Sequence, residues 1–162
     1  MTVTRPRAER GAFPPGTEHY GRSLLGAPLI WFPAPAASRE SGLILAGTHG
    51  DENSSVVTLS CALRTLTPSL RRHHVVLCVN PDGCQLGLRA NANGVDLNRN
   101  FPAANWKEGE TVYRWNSAAE ERDVVLLTGD KPGSDPETQA LCQLIHRIQP
   151  AWPVLKIPDT AN

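Results

Sequence analysis

Short, uninterrupted runs of hydrophobic residues alternate with polar segments along the first half of the chain. Three of these runs, residues 29–32, 43–46 and 75–79, are bounded by proline, glycine or polar residues. Runs of this length and kind are typical of strands that are buried on both faces of a sheet. A fourth run, residues 124–127, fits either a short strand or one turn of helix.

Two other segments carry hydrophobic residues at helical spacing. Residues 53–66 place four aliphatic side chains on one face, and a proline at position 68 ends the pattern. Ser134 and Glu137 form a capping-box pattern at the start of the second helix, which Pro150 ends. The order strand, strand, helix, strand, loop, helix predicts an α/β fold with an open, mostly parallel or mixed sheet and helices on both faces.

Two stretches have no regular pattern. Residues 103–123 are polar and contain three large aromatic residues, so they predict a long loop, which in a compact domain is usually functional or disordered. Residues 151–162 contain Pro153 and Pro158, and a strand that includes Pro153 could not be central in a sheet.

The composition argues against several classes of function. The 162 residues carry 16 Lys or Arg against 16 Asp or Glu, without the basic surplus that binding to nucleic acid or an anionic membrane requires. No apolar run has the length of a secretory signal or a membrane span. The four scattered cysteines predict free thiols in a reducing cytoplasm, with Cys78 and Cys142 in the core because they lie in apolar segments.

The first candidate for chemistry lies directly after the second predicted strand. His49 and Glu52 belong to a His-Gly-Asp-Glu sequence at the strand end where open α/β folds place their sites. Zinc accepts imidazole nitrogen and carboxylate oxygen, so one metal ion could bind both side chains. Viewed alone, the pair is better explained as a loop histidine and a solvated glutamate, because His-x-x-Glu also arises by chance.

Two further polar segments follow the third predicted strand. Residues 80–83 read Asn-Pro-Asp-Gly, which alone predicts a tight turn. Residues 89–102 contain Arg89 and Arg99 with several asparagines and one glycine between them. Arginine offers a planar fork for a carboxylate and asparagine adds a neutral donor, so this segment suits an anionic ligand. In isolation, a solvated polar loop is the simpler interpretation.

Taken together and in this order, these segments resemble the zinc carboxypeptidase family, the carboxypeptidase A-like metallopeptidases. The resemblance covers about residues 20–150 and is most specific in the Val-Asp-Leu-Asn-Arg-Asn-Phe sequence. Its motifs lie at residues 21–29, 49–52, 80–83, 94–102 and 134–138. The resemblance implies a zinc carboxypeptidase-like α/β domain and zinc-dependent hydrolysis of an amide bond.

The resemblance also implies roles for single residues. His49 and Glu52 match two of the three zinc ligands, and Arg89 matches the arginine that stabilises the tetrahedral oxyanion. Asn98 and Arg99 match the pair that holds the free carboxylate of the departing residue. Zinc, the implied cofactor, polarises the amide carbonyl and lowers the pKa of its bound water towards ~7, and the guanidinium meets the developing negative charge.

The implied substrate is a small peptide of the bacterial cell wall. Asp51 separates the chain from the digestive members of the family, which carry arginine at this position. The sequence is most similar to a cytoplasmic bacterial branch that hydrolyses the γ-D-glutamyl–meso-diaminopimelate bond of murein tripeptide during cell-wall recycling. Two positively disposed groups suit this carboxylate-rich peptide.

The chain departs from the family pattern after its last predicted helix. The family carries a third zinc ligand, a histidine, and later a general-base glutamate, but here no histidine follows His146 and no glutamate follows Glu137. We therefore expect a C-terminally truncated or frame-shifted copy, with one partial domain over residues 1–162 and an aberrant tail at 151–162. Such a chain should bind zinc weakly and turn over little or no substrate, because catalytic zinc normally has three protein ligands.

Two other functions stay open. A zinc N-deacylase of the succinylglutamate desuccinylase or aspartoacylase type also uses His-Gly-x-Glu. Arg89, Asn98 and Arg99 could instead serve a non-catalytic module that grips a carboxylate peptide without any metal.

Overall fold

The hydrophobic runs and helical segments form a mixed sheet with helices packed against it. The computed structural model describes residues 4–116, 121–152 and 155–156. The strands are β1 (Glu18–Arg22), β2 (Pro28–Phe32), β3 (Leu43–Leu45), β4 (His74–Val76), β5 (Glu110–Asn116), β6 (Glu121–Leu127) and β7 (Leu155–Lys156). The α-helices are α1 (Asn53–Thr65), α2 (Pro81–Leu86), α3 (Leu97–Asn100) and α4 (Pro136–Ile148), and Arg7–Glu9 and Pro68–Leu70 are 3-10 helices. Within the described residues, no helix has the length and apolar character needed to cross a membrane.

The central sheet has five strands in the order β1-β2-β4-β3-β7. β3 runs parallel to both β4 and β7, whereas β2 pairs antiparallel with β1 and with β4. The predicted α/β fold with an open mixed sheet is thus confirmed. β7 lies at an edge of this sheet, while residues 153–154 and 157–162 of the expected tail lie outside the described residues.

Each face of the sheet has its own hydrophobic cluster, because successive side chains of a strand point to opposite faces. The cluster shared with α4 contains the buried residues Trp31, Leu43, Leu45, Val76, Val79, Leu97, Leu141 and Leu144. The cluster shared with α1 contains Phe32, Ala46, Leu59, Leu63 and Val75. Helices therefore cover both faces of the sheet, as predicted.

The local hydrophobic pattern predicts most of the central elements. β2 and β3 match the runs at residues 29–32 and 43–46, and α1 matches the helix predicted over 53–66. β4 ends at Val76 rather than at residue 79. Beyond the strand, the Val79 amide still donates to the Ala46 carbonyl at 3.0 Å, just after β3.

The prediction of a long loop over residues 103–123 is wrong for residues 110–116 and 121–123, whereas residues 103–109 contain no helix or strand. Glu110–Asn116 form β5, which pairs antiparallel with β6 along the full length of both strands. Val112 lies opposite Val125, and Arg114 lies opposite Asp123 with its Nε 2.8 Å from the carboxylate. Cross-strand pairs of this kind stabilise a ribbon that neither strand indicates by itself. The run at 124–127 is therefore strand rather than helix.

α4 begins where predicted, but without the expected capping box. Asp135 precedes the helix, and Pro136 occupies the first turn, where its missing amide hydrogen removes no hydrogen bond. Ser134 Oγ donates to Asp135 Oδ2 at 2.7 Å, and Glu137 Oε1 accepts from the Leu24 amide at 2.9 Å. A contact between distant segments thus replaces the local cap.

Replacing Leu141 with alanine should destabilise the protein strongly. Leu141 is 0% exposed between α4 and the sheet, and core Leu→Ala substitutions cost about 2–5 kcal/mol. Urea unfolding followed by circular dichroism measures this loss. Leu25→Ala is the matched control, since Leu25 is 64% exposed and its truncation should cost less than about 1 kcal/mol. Equal losses for the two variants would contradict the assigned core.

Candidate active site

The loop between β3 and α1, residues 46–52, packs closely on the segments that follow β4. The Asn80 amide donates to the Gly47 carbonyl at 2.8 Å, and the Gly50 amide donates to the Arg89 carbonyl at 3.3 Å. Gly47 has a φ of 62°, and a side chain at Gly50 would overlap the backbone of α2. Both positions therefore need glycine for the loop to approach its neighbours.

His49 is the buried centre of this loop, with only 2% of its surface exposed. Its Nδ1 lies 2.9 Å from Glu52 Oε1, and its Nε2 lies 3.1 Å from Asp96 Oδ1. The structure therefore brings the two candidate zinc ligands together. It also places a second carboxylate, Asp96, on the other ring nitrogen, which the sequence did not indicate.

Arg89, the candidate oxyanion-stabilising residue, contacts the same glutamate. Its Nη1 lies 2.6 Å from Glu52 Oε1 and 3.9 Å from Asp51 Oδ1. Its guanidinium lies 4.1 Å from the centre of the Tyr113 ring, whose face attracts a cation. The guanidinium is thus held between β5 and the loop that carries His49.

Burial and hydrogen bonding act in opposite directions on the three carboxyl groups of this cluster. Burial raises the pKa of Glu52, but hydrogen bonds with His49 and Arg89 outweigh it, so the pKa lies below its usual value. The pKa of Asp96 is lowered in the same way, because its hydrogen bond with His49 and further favourable contacts outweigh burial. The pKa of Asp51 is raised because burial outweighs the attraction of Arg89, and its Oδ1 is buried without a hydrogen bond.

Asp96 connects the candidate ligand pair to α3. Its Oδ1 contacts His49 and also accepts a hydrogen bond from the Asn98 amide at 2.9 Å, which caps the helix. Its own amide donates to the Leu127 carbonyl at the end of β6 at 2.9 Å. An aspartate before a polar turn is a common helix cap. The sequence does not reveal its contact with a histidine 47 residues earlier.

Asn98 and Arg99 are exposed on α3 and line a cavity of about 440 Å³ together with Phe101 and Trp106. The Nη1 of Arg99 lies 3.4 Å from the Asn98 carbonyl oxygen. Because Asp96 contacts both His49 and Asn98, the predicted carboxylate-binding residues lie in the same part of the molecule as the ligand pair.

The Asn-Pro-Asp-Gly segment is the start of α2 rather than a tight turn. Asn80 is 0% exposed, its Oδ1 accepts from the Gly83 amide at 2.9 Å, and its Nδ2 donates to the Ala90 carbonyl at 3.0 Å. The residue therefore fixes the backbone next to Arg89, which the turn prediction did not foresee.

Residues 89–102 do not form a solvated loop. Asn91 Nδ2 donates to Asp135 Oδ1 at 2.7 Å, and Asn100 Nδ2 donates to the Thr128 carbonyl at 2.9 Å. Both asparagines are 0% exposed. Their side-chain amides donate hydrogen bonds to buried oxygen atoms outside the hydrogen bonding of helices and strands. These bonds hold the segment in place.

The donors of His49 and Glu52 fit zinc in kind but not in number. Imidazole nitrogen and carboxylate oxygen are typical zinc ligands, and a catalytic site normally has three protein ligands. In the part of the chain that the structure describes, no group of three or more His, Cys, Asp or Glu side chains is arranged to hold a metal ion.

The remaining histidines occupy other positions. His19 is exposed in β1, and His146 is exposed in α4. The His73 ring packs at a tilt against the Trp152 ring with centres 4.8 Å apart, and His74 Nδ1 accepts from the Ala34 amide at 3.1 Å. Within the described residues, none of the four joins His49 and Glu52 in a metal-holding group.

The fold and this cluster together define the class of the protein. Residues 16–157 match the zinc carboxypeptidase family, and the chain belongs to it. The chain is 99% identical over 154 residues to murein peptide amidase A of Escherichia coli, covering 95% of this chain and 64% of that protein. It is 55% identical over 149 residues to murein peptide amidase A of Vibrio campbellii, covering 92% of this chain and 60% of the relative.

Solved structures give the same fold. The crystal structure of the murein-tripeptide amidase from Escherichia coli O157 superposes with a TM-score of 0.90 at 97% identity, and the match covers 96% of this chain and 65% of that one. Bovine thrombin-activatable fibrinolysis inhibitor shares the fold at a TM-score of 0.59 and 19% identity, over 95% of this chain and 53% of its own. The chain spans just under two thirds of the length of these murein peptide amidases.

Replacing Gly50 with alanine should destabilise the protein by about 1–3 kcal/mol, the usual cost of overpacking. The added methyl group would overlap the Gly83 carbonyl and the Cys84 amide, which are backbone atoms and cannot rotate away. Gly11→Ala is the control, since a methyl group there meets nothing within 4 Å. Urea unfolding compares the two variants, and an unchanged free energy of unfolding for Gly50→Ala would argue against the close packing of this loop on α2.

Proposed function

We propose that this chain carries the ligand pair and part of the substrate-binding surface of a zinc-dependent amidase. The proposed substrate is murein tripeptide, hydrolysed at its γ-D-glutamyl–meso-diaminopimelate bond during cell-wall recycling in the cytoplasm. The observation that carries the proposal is the 2.9 Å approach of His49 Nδ1 to Glu52 Oε1, with Arg89 on the same oxygen. The two murein peptide amidases at 99% and 55% identity support the substrate class over N-acyl amino acids.

His49 and Glu52 are the proposed zinc ligands of this chain, and zinc at this position would supply a polarised carbonyl and an acidic bound water. With Nδ1 used for the metal, the ring proton of His49 resides on Nε2, where Asp96 accepts it at 3.1 Å. Such a hydrogen bond fixes the tautomer and the orientation of a ligating imidazole. Asp96 is therefore proposed as the residue that positions His49.

Arg89, Asn98 and Arg99 are proposed to act on the substrate. The guanidinium of Arg89 stabilises negative charge as it develops on the carbonyl oxygen of the scissile amide. Arg99 and the Asn98 side chain bind the free carboxylate of the departing residue, with a planar fork and a neutral donor respectively. Their exposure beside a cavity of about 440 Å³ supports this division of roles.

The 162-residue chain should bind zinc at least about tenfold more weakly than the full-length Escherichia coli relative, a difference of about 1.4 kcal/mol. The physical reason is the number of ligands. The described residues supply two proposed ligands, His49 and Glu52, and no group of three, whereas catalytic zinc sites normally have three protein ligands. Competition with a chromophoric chelator measures both affinities under one buffer. Equal affinities would contradict the expectation that two ligands bind zinc more weakly than three.

His49→Ala should abolish the remaining zinc binding, and Asp96→Asn should weaken it by about 10–100-fold, the usual effect of losing such a partner. His146→Ala is the matched control, because this histidine is exposed on α4, outside the ligand pair. If His49→Ala and His146→Ala bind zinc alike, His49 is not a ligand.

Turnover of murein tripeptide by this chain with added zinc should be far below that of the full-length relative. Chromatography of the released diaminopimelate measures the turnover rate. Hydrolysis of N-succinylglutamate is assayed in parallel. Hydrolysis of N-succinylglutamate alone would favour the N-deacylase alternative. Turnover close to that of the relative would contradict the expectation of low activity.

A non-catalytic peptide-binding role is the second candidate. It is favoured by Asn98 and Arg99, which line a cavity whose lining does not include His49 or Glu52. Calorimetry with murein tripeptide, with and without a chelator, separates the two functions, because only the metal site depends on zinc. Arg99→Ala should lower tripeptide affinity in either case, whereas Arg72→Ala, an exposed arginine beside β4, should not.

A further inference from the structure

Two cysteine sulfurs meet beneath the loop that carries His49 and Glu52. Cys78 follows β4 and Cys84 lies in α2, and their Sγ atoms are 3.4 Å apart. All four cysteines are free thiols, as the sequence predicts, but Cys78 and Cys142 are half-buried rather than core residues. Cys78 and Cys84 are therefore a close dithiol pair with partial access to solvent.

The two cysteines lie against two positions of the 47–52 segment, Gly47 and Gly50. A Cβ atom at Gly47 would lie 3.1 Å from Cys78 Sγ, and one at Gly50 would overlap the Cys84 amide. The segment has no side chain at either position that could absorb a displacement. We therefore expect a displacement of Cys78 or of the Cys84 backbone to reach the segment that carries His49.

The two thiols differ in reactivity. Their mutual hydrogen bond, with burial in addition, raises the pKa of Cys78, and the same hydrogen bond lowers the pKa of Cys84. Since the thiolate is the nucleophile in thiol–disulfide exchange, Cys84 is the attacking residue and Cys78 the resolving one.

We propose that Cys78 and Cys84 are a reversible redox site that takes low-molecular-weight disulfides as oxidants, and that its oxidation displaces the loop of His49 and Glu52. The Cys84 thiolate attacks one sulfur of the external disulfide and releases one thiol, which gives a mixed disulfide. Cys78 then loses its proton to solvent and attacks Cys84 Sγ, which releases the second thiol. The two cysteines lose two electrons in total, and the external disulfide gains them.

The displacement follows from the geometry of the bond. A disulfide bond is about 2.0 Å long, so the sulfurs must approach by roughly 1.4 Å from their separation of 3.4 Å. Gly50 packs on α2 and its amide donates to the Arg89 carbonyl at 3.3 Å. We expect this hydrogen bond to weaken when α2 moves towards Cys78.

The first experiment uses the full chain with Cys61→Ser and Cys142→Ser, which leaves only the proposed pair. Titration with reduced and oxidised glutathione, followed by intact mass and peptide mapping, should show loss of two hydrogen atoms and a Cys78–Cys84 link. Adding Cys78→Ser should stop the reaction at a mixed disulfide on Cys84. A stable glutathione adduct in the paired variant, or thiols that stay reduced when Cys61 of the parent chain is oxidised, would overturn the proposal.

The second experiment follows hydrogen–deuterium exchange in peptides that cover residues 47–52. Exchange should be several-fold faster in the oxidised form of the paired variant than in its reduced form. The same chain with Cys84→Ser, treated identically, is the control and should not change. Identical exchange in the two redox states would refute the coupling. Neither readout involves zinc or substrate, so failure here is separate from failure of the proposed function.

Discussion

The carboxylate of Asp96 is the point at which the candidate ligand loop and the candidate substrate-binding helix are joined. A buried carboxylate is unfavourable unless its oxygens are hydrogen-bonded, and Oδ1 meets this requirement with His49 and the Asn98 amide. The same residue is tied to β6 through the Leu127 carbonyl. The orientation of the imidazole therefore depends on α3 and on the strand ribbon as well as on its own loop.

Buried amides and carboxylates connect the segments that carry the site. Asn80, Asn91 and Asn100 are 0% exposed and pair with backbone and carboxylate groups of neighbouring segments. Glu137, also fully buried, accepts from the Leu24 amide and from Asn91. A buried polar group that lost its hydrogen bond would destabilise the folded protein. Each member of the network therefore restricts the positions of the others.

The contacts of Asp96 and the network of buried amides explain what the sequence could and could not predict. β2, β3 and α1 follow from local hydrophobic patterns, and the order of the polar motifs indicates the family. The contact of Asp96 with His49 and the pairing of β5 with β6 depend on residues far apart in the chain, which no local pattern records. Glu137 matches a capping motif, yet a partner 113 residues away, Leu24, takes its side chain instead.

The position of His49 also depends on two residues of its loop that lack side chains, Gly47 and Gly50. Gly47 and Gly50 let the loop lie directly on Cys78 and α2, and His49 between them is only 2% exposed. A candidate metal ligand such as His49, whose loop packs through its backbone, is held in a fixed position. It also moves whenever Cys78 or α2 moves. Protein interiors are closely packed and transmit strain. We therefore expect a change in the Cys78–Cys84 dithiol to shift the candidate metal ligand His49, which lies against the same surface.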